Sequence, residues 1–77
     1  MSCEYTESLD ASWQLCPVPI LMTEERIKEM KKGAVLRVVF TDPGAVPDLE
    51  AWCAAAGHRI LGFENEKPRS FAYIRKG

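Results

Sequence analysis

Residues 16–33 read CPVPILMTEERIKEMKKG, a pattern that predicts a helix starting directly after a cysteine. Pro17 suits the first helical position, because its missing N–H would be unbonded there and its φ is already helical. Gly33 suits the C′ position that ends a helix. The apolar positions recur at the spacing of one helical face: Ile20, Thr23, Ile27 and Met30. We therefore expect a helix from Pro17 to Lys32.

This helix gives Cys16 a distinctive environment. The cysteine lies at or beside the N-cap, where free backbone N–H groups and the positive end of the helix dipole converge. Such a field stabilises a thiolate, so we expect the pKa of Cys16 to fall below its ordinary value of about 8.5. It also attracts anions. The sequence therefore predicts a nucleophilic thiol that handles a small anionic or sulfur-containing partner.

The rest of the chain predicts four strands and a second helix around the first one. The apolar run over 34–41 is typical of an interior strand. The other segments are strands over 5–10, 58–64 and 70–75, a helix over 45–56 with Val46, Leu49, Cys53 and Ala56 on its buried face, and a turn over 65–68. The order β-α-β-α-β-β indicates an α+β fold, a two-layer α/β sandwich with a four-stranded mixed sheet and two helices on one face. We assign residues 1–77 to a single domain.

Composition narrows the functional classes. The net charge is −1 and the basic residues are scattered, which argues against a nucleic-acid partner. No apolar run approaches the roughly 20 residues that cross a bilayer, and the N-terminus lacks a signal-peptide pattern, so we expect a cytoplasmic protein. Three cysteines and a single histidine, His58, indicate neither a disulfide framework nor a metal site.

The cysteine motif and the element order together resemble the TusA family of sulfur carriers over essentially the whole chain. The matching features are Leu9-Asp10, the CPxP motif at 16–19, the Lys-Lys-Gly ending at Gly33, Asp42-Pro43, Gly57-His58 and the closing Ile74-Arg75-Lys76. The resemblance implies a carrier that holds sulfur as a persulfide on Cys16, with Pro17 and Pro19 shaping the loop and the helix start. It implies no cofactor, since the sulfur is bound covalently.

A departure just before the motif favours one branch of that family. Ser12 and Trp13 stand where tRNA-thiolation carriers usually show Arg-Gly, while Gln14 resembles the YeeD branch. That resemblance implies a YeeE-type membrane thiosulfate transporter as partner, thiosulfate as sulfur source and a downstream sulfur-acceptor protein. It also places the protein at the inner face of the membrane. Trp13 and Gln14 are then candidate pocket-wall residues, although Trp13 suits a core anchor equally well.

Several alternatives stay open at this point. The protein could act as a sulfurtransferase, in which thiosulfate leaves a persulfide on Cys16 and sulfite is released. It could instead hold a stoichiometric Cys-S-SO₃⁻ adduct. The chain could instead be a tRNA-thiolation-type relay or a non-catalytic interaction module. A redox role would need Cys53 as resolving thiol, whereas its place on the apolar helix face favours core packing. Cys3 is expected to be exposed, and a Cys16–His58 dyad has no sequence support.

Overall fold

The computed structural model describes residues 4–77 and contains two helices and a four-stranded sheet. The elements in chain order are β1 (Glu7–Ala11), α1 (Val18–Lys28), β2 (Val35–Phe40), α2 (Ala45–Ala56), β3 (Arg59–Glu66) and β4 (Arg69–Arg75). The predicted fold class and the order β-α-β-α-β-β are confirmed.

The sheet is mixed, with strand order β1-β2-β4-β3. β1 pairs with β2 in parallel, while β4 pairs antiparallel with both β2 and β3. β1 and β2 therefore end at the same edge of the sheet. The loops that follow these two strands lead into α1 and α2, so both helices begin near this edge.

Alternate side chains of β2 point into the core. Leu36, Val38 and Phe40 are at most 1% exposed and belong to one apolar cluster with residues of both helices. The helices contribute Ile27, Leu49 and Cys53, all nearly fully buried. Since side chains alternate across a strand, Arg37 of β2 points to the opposite face of the sheet. The two helical faces therefore share one core.

The predicted end of α1 at Lys32 is wrong, because the helix ends at Lys28 with Glu29 as its C-cap. The N–H groups of Glu29 and Met30 donate to carbonyls three residues back, which tightens and closes the last turn. Met30 is buried although it lies beyond the helix. Gly33 is not the C′ residue but sits in the turn before β2, with a φ of 88° that favours glycine.

Other boundaries shift for related reasons. β1 runs over Glu7–Ala11 rather than 5–10, because Leu9 and Ala11 are the residues that reach the core. β3 runs over Arg59–Glu66 rather than 58–64, and β4 over Arg69–Arg75 rather than 70–75, which leaves only residues 67–68 as the turn. In α2 the buried face begins at Ala45, and Ala56 is exposed. Among residues 4–77, neither helix has the length and apolarity that a bilayer crossing requires.

Candidate functional site

Cys16 lies in the loop that joins β1 to α1, one residue earlier relative to the helix than its sequence suggested. Pro17 is the N-cap rather than the first helical residue, so Cys16 precedes the cap. Pro19 occupies the first turn and is almost completely buried, and its carbonyl accepts the Thr23 hydroxyl at 2.7 Å. The two prolines therefore flank the first residue of α1, with Cys16 half-buried just outside it.

The residues after β2 hold this loop in place. The Trp13 N–H donates to Thr41 Oγ1 at 2.8 Å, and the Cys16 N–H donates to Asp42 Oδ2 at 3.0 Å. The other oxygen of Asp42 accepts the Gly44 N–H at 3.0 Å, directly at the N-cap of α2. One carboxylate thus fixes both the cysteine backbone and the start of the second helix. The Cys16 and Gly44 N–H groups lower the pKa of Asp42, so it is ionised at neutral pH.

The predicted depression of the thiol pKa is wrong. Burial raises the pKa of Cys16 to about 11, and the side chains of Asp48 and Asp42 add to the effect. Asp48 lies in the first turn of α2, so that helix brings a negative charge toward the sulfur. A thiolate between two carboxylates is disfavoured by repulsion. At neutral pH the resting state of Cys16 is therefore the protonated thiol.

Replacing Asp48 with asparagine is expected to lower the pKa of Cys16. The amide carries no charge to repel the thiolate, and its NH₂ group can donate a hydrogen bond to it. Alkylation of Cys16 by iodoacetamide at pH 8 should be several times faster in Asp48→Asn, since each pKa unit removed gives about a tenfold rise in thiolate. The measurement is the alkylation rate of the Cys16 peptide as a function of pH.

Glu50→Gln provides a matched control on the same helix. Glu50 is also an exposed acidic residue of α2, but it is not among the groups that act on the thiol. Its removal changes the net charge by the same amount and should leave the pH profile of Cys16 unchanged. Equal acceleration in the two variants would mean that net charge, rather than the position of Asp48, controls the thiol.

Trp13 is not a core anchor. Its side chain is 65% exposed, and its φ of 66° lies in the left-handed region that non-glycine residues rarely adopt. The Arg69 guanidinium lies 5.6 Å from the centre of the indole ring. Gln14 is exposed in the same loop. Both residues lie close to Cys16 along the chain, and their role as walls of a substrate pocket stays a prediction.

The remaining sequence candidates lie elsewhere. His58 follows the C-terminal end of α2, where its ring contacts Trp52 and its Nδ1 accepts the Gly77 N–H. Because α2 spans roughly 18 Å, His58 is far from the Asp42 end and forms no dyad with Cys16. Cys53 is 2% exposed in the core, which confirms its packing role. Cys3 lies outside the described residues.

Sequence reasoning missed Asp42 and Asp48. The signal for Asp42 was present, because it follows β2 closely and the carboxyl ends of parallel strands meet at one sheet edge. Asp48 could not be predicted from the sequence, because its place in the site depends on how α2 approaches the start of α1. The site therefore consists of a thiol on one loop and two carboxylates contributed by the next helix start.

Comparisons with known proteins agree with this arrangement of elements. A sequence model of the family described as "Sulfurtransferase TusA" matches residues 7–76. The chain is 45% identical over 69 residues to the "Putative sulfur carrier protein YrkF" of Bacillus subtilis, covering 90% of this chain and 37% of the relative. It is 36% identical over 69 residues to the "Sulfur carrier protein TusA" of Pseudomonas entomophila, covering 90% of this chain and 86% of the relative.

A solved structure shares the fold. The crystal structure of a SirA-like protein from Desulfitobacterium hafniense superposes with a TM-score of 0.82, covering 94% of this chain and 99% of that one, at 20% sequence identity. Some relatives are longer, since the chain spans only 37% of the Bacillus subtilis protein and 35% of a putative sulfur carrier protein from Aquifex aeolicus.

Proposed function

The chain belongs to the TusA family of sulfurtransferases, and from this premise we propose that it is a sulfur carrier that holds its sulfur covalently on Cys16. The observation that carries the proposal is the contrast between two thiols. Within residues 4–77, Cys16 is half-buried on an exposed loop, whereas Cys53 is enclosed in the core. Only the first of these can meet a donor or an acceptor without unfolding of the domain.

The names of the relatives support the same role. The Bacillus subtilis relative is described as a putative sulfur carrier protein, and the Pseudomonas entomophila relative as a sulfur carrier protein. The family match covers the loop that contains Cys16, because it begins at residue 7 and ends at residue 76, and each of these two relatives aligns with 90% of the chain. In this proposal Pro17 and Pro19 shape the loop, and no cofactor takes part.

We further propose thiosulfate as the sulfur source. The Cys16 thiolate attacks the outer sulfur of thiosulfate, a Cys16–S–S⁻ persulfide forms, and the S–S bond of thiosulfate breaks so that its electron pair leaves with sulfite. The reaction parallels thiol–disulfide exchange, whose rate depends on thiolate fraction, leaving group and access. The Gln14-Leu15-Cys16 sequence supports this choice, because it resembles the YeeD branch.

The carboxylates of Asp42 and Asp48 hinder the approach of free thiosulfate to Cys16. A free dianion approaching Cys16 meets repulsion from Asp42 and Asp48, and the thiol must first lose its proton. Delivery by a membrane transporter of YeeE type, at its cytoplasmic side, would supply both proximity and compensating groups. A downstream acceptor protein would then take the sulfur from the persulfide.

The same carboxylates favour one second candidate. A sulfur relay of the tRNA-thiolation type receives its sulfur from a protein persulfide rather than from a free dianion. That donor brings its own side chains to the site and can neutralise Asp42 and Asp48 on contact. Ser12 and Trp13, in place of the Arg-Gly pair, favour the thiosulfate proposal over this one.

The intact mass of reduced protein after exposure to thiosulfate tests the proposal. We expect addition of one sulfur atom, matched by one equivalent of sulfite, with the adduct on the Cys16 peptide. Because the pKa of Cys16 is about 11, loading without a partner should be slow at pH 7 and should rise about tenfold per pH unit up to pH 10.

Three other outcomes are informative. Addition of an SO₃ group instead, with sulfide rather than sulfite released as the S–S bond of thiosulfate breaks, would identify a stoichiometric carrier that holds Cys-S-SO₃⁻. Loading from a protein persulfide but not from thiosulfate, at any pH up to 10, would favour the relay. Loading from neither, while Cys16 still alkylates, would overturn the carrier proposal in favour of a non-catalytic interaction module.

A further inference from the structure

Four large apolar side chains stand exposed around Cys16. Trp13 and Leu15 precede it in the loop and are 65% and 74% exposed, and Val18 and Leu21 follow it on α1 at 38% and 55%. Val18 and Leu21 are three residues apart, so they lie on the same face of the helix. Single exposed apolar residues are ordinary, but these four fall within nine positions on both sides of Cys16, a concentration that marks this segment of the surface. We call these four residues the apolar rim.

Trp13 is largely exposed although its backbone conformation is unfavourable for a bulky residue. Its φ of 66° costs free energy in any residue with a Cβ, and a bulky residue there is an outlier. Burial does not offset this cost, because 65% of the side chain is exposed. Backbone bonding does not require the indole either, since it is the Trp13 N–H that reaches Thr41. The indole contacts the Arg69 guanidinium, which lies 5.6 Å from the ring centre, and most of the side chain stays exposed and open to a partner.

Two carboxylates without a cationic partner in the described part of the chain lie beside the thiol. Asp42 and Asp48 act on the Cys16 thiol, and within residues 4–77 no Lys or Arg lies within 4.0 Å of either carboxylate. The nearby cation Arg69 is directed elsewhere, over the Trp13 ring and toward Asp10. A molecule covering the rim would therefore desolvate two carboxylates that lack a cationic partner within the described chain.

We propose that the apolar rim is a docking surface for a protein partner whose contact face is apolar and presents a Lys or Arg side chain to Asp42 and Asp48. Charge complementarity selects this occupant. Nucleic acid, an anionic membrane surface and a free dianion would all be repelled by the two carboxylates. An apolar surface without a cation would leave both carboxylates desolvated and unpaired.

Docking would then also activate the sulfur atom. A cation placed against Asp42 and Asp48 offsets the charges that keep Cys16 protonated, so the thiolate forms where the donor or acceptor is already bound. This consequence rests on the proposed function, because it concerns sulfur transfer at Cys16. The docking surface itself does not depend on which sulfur compound is carried.

Disulfide exchange with short synthetic peptides tests the proposal. The probes are the symmetric disulfides of three acetylated, amidated peptides: Leu-Lys-Cys-Leu, Leu-Glu-Cys-Leu and Ser-Lys-Cys-Ser. In each exchange the Cys16 thiolate attacks one peptide sulfur, a mixed disulfide forms, the peptide S–S bond breaks, and the released peptide thiolate takes up the proton that Cys16 lost. The rate is followed by mass at pH 8 and low salt.

We expect the basic apolar peptide to react at least about tenfold faster than the acidic one, a difference that salt should reduce. It should also outpace the basic peptide with serine flanks. Asp48→Asn should diminish the preference for lysine over glutamate, and Trp13→Gly should diminish the preference for leucine over serine flanks. Equal rates for all three peptides on the wild-type protein would overturn the proposal.

The stability of Trp13→Gly separates a docking role from a structural one. Glycine adopts a φ of 66° without strain, so the midpoint of thermal unfolding should stay the same or rise while the apolar preference falls. A clear fall in the midpoint would instead show that the indole serves the fold. Leu61→Ser is the matched control, since Leu61 is 40% exposed on β3 near the opposite end of the sheet and should leave every rate unchanged.

The peptide rates test the docking surface and the thiosulfate experiment tests the sulfur chemistry, so either proposal can fail without the other. Peptide discrimination without any sulfur loading would leave the docking surface standing and remove the proposed sulfur chemistry. Sulfur loading with equal peptide rates would support the proposed sulfur chemistry and overturn the docking surface.

Discussion

Cys16→Ser is expected to abolish sulfur loading and sulfur transfer completely. A serine hydroxyl cannot form a persulfide, and its pKa is too high for it to act as a comparable nucleophile without an adjacent base. The substitution keeps the bond from the residue 16 backbone N–H to Asp42, and a serine hydroxyl can replace the thiol as donor to the Asp42 and Asp48 carboxylates, so the loop should not be disturbed. The measurement is the intact mass and released sulfite after thiosulfate exposure at pH 9, beside the unfolding midpoint of the same variant.

Cys53→Ala is the matched control for that loss. It also removes one thiol, but from the core, where Cys53 is 2% exposed and burial raises its pKa to about 11. We expect it to lower the free energy of unfolding by about 1 kcal/mol and to load sulfur normally. Full loading in Cys16→Ser would contradict the carrier proposal. A folded Cys53→Ala that loads no sulfur would instead make Cys53 a participating thiol.

The high pKa of Cys16 would protect the thiol of a sulfur carrier from side reactions. Thiolates, not thiols, are the species that oxidants and stray disulfides attack, so a protonated sulfur between two carboxylates is protected in the free protein. The cost is slow reaction with any donor in solution. A carrier with this chemistry would transfer sulfur chiefly inside complexes, which agrees with the apolar rim that surrounds the thiol.

The element order was predictable from sequence because each segment carries a local signal. β2 is an apolar, β-branched run, α1 has one apolar face, and Pro17 and Pro19 mark its beginning. The errors lie at boundaries, where tertiary contacts decide. Met30 reaches the core from beyond the helix, and Ala11 extends β1 because it faces the same core.

The sequence predicted the position of Cys16 but not the two carboxylates beside it. These carboxylates and burial reverse the expected direction of the Cys16 pKa shift. Local sequence placed Cys16 before a helix, but the sign of its pKa shift depends on Asp42 and Asp48, which lie 26 and 32 positions away. Helix polarity is a weak effect that two nearby carboxylates and burial outweigh. A residue pattern reveals which groups a loop holds, whereas the charge around a thiol is a property of the packed structure.

Leu36→Ala should strongly destabilise the domain, because it truncates the one leucine of β2. Leu36 is fully buried on a strand paired on both sides, between β1 and β4. Truncation of a leucine in such a site costs about 3 kcal/mol. A small domain of this length has a total stability of about 4–12 kcal/mol, so a large part of it would be lost. The measurement is the urea midpoint at unchanged slope.

Cys53 provides an independent measure of the same loss. Because it is buried, it alkylates through opening of the domain, and a 3 kcal/mol destabilisation should speed its alkylation about a hundredfold. Leu61→Ala, at a 40% exposed position of β3, is the control and should change both the midpoint and the alkylation rate only slightly. If Cys53 alkylated at the wild-type rate in Leu36→Ala, the opening that exposes it would be local to α2 and independent of the sheet. If instead the rate rises as expected, the core beneath α2 and the central strand unfold as one unit.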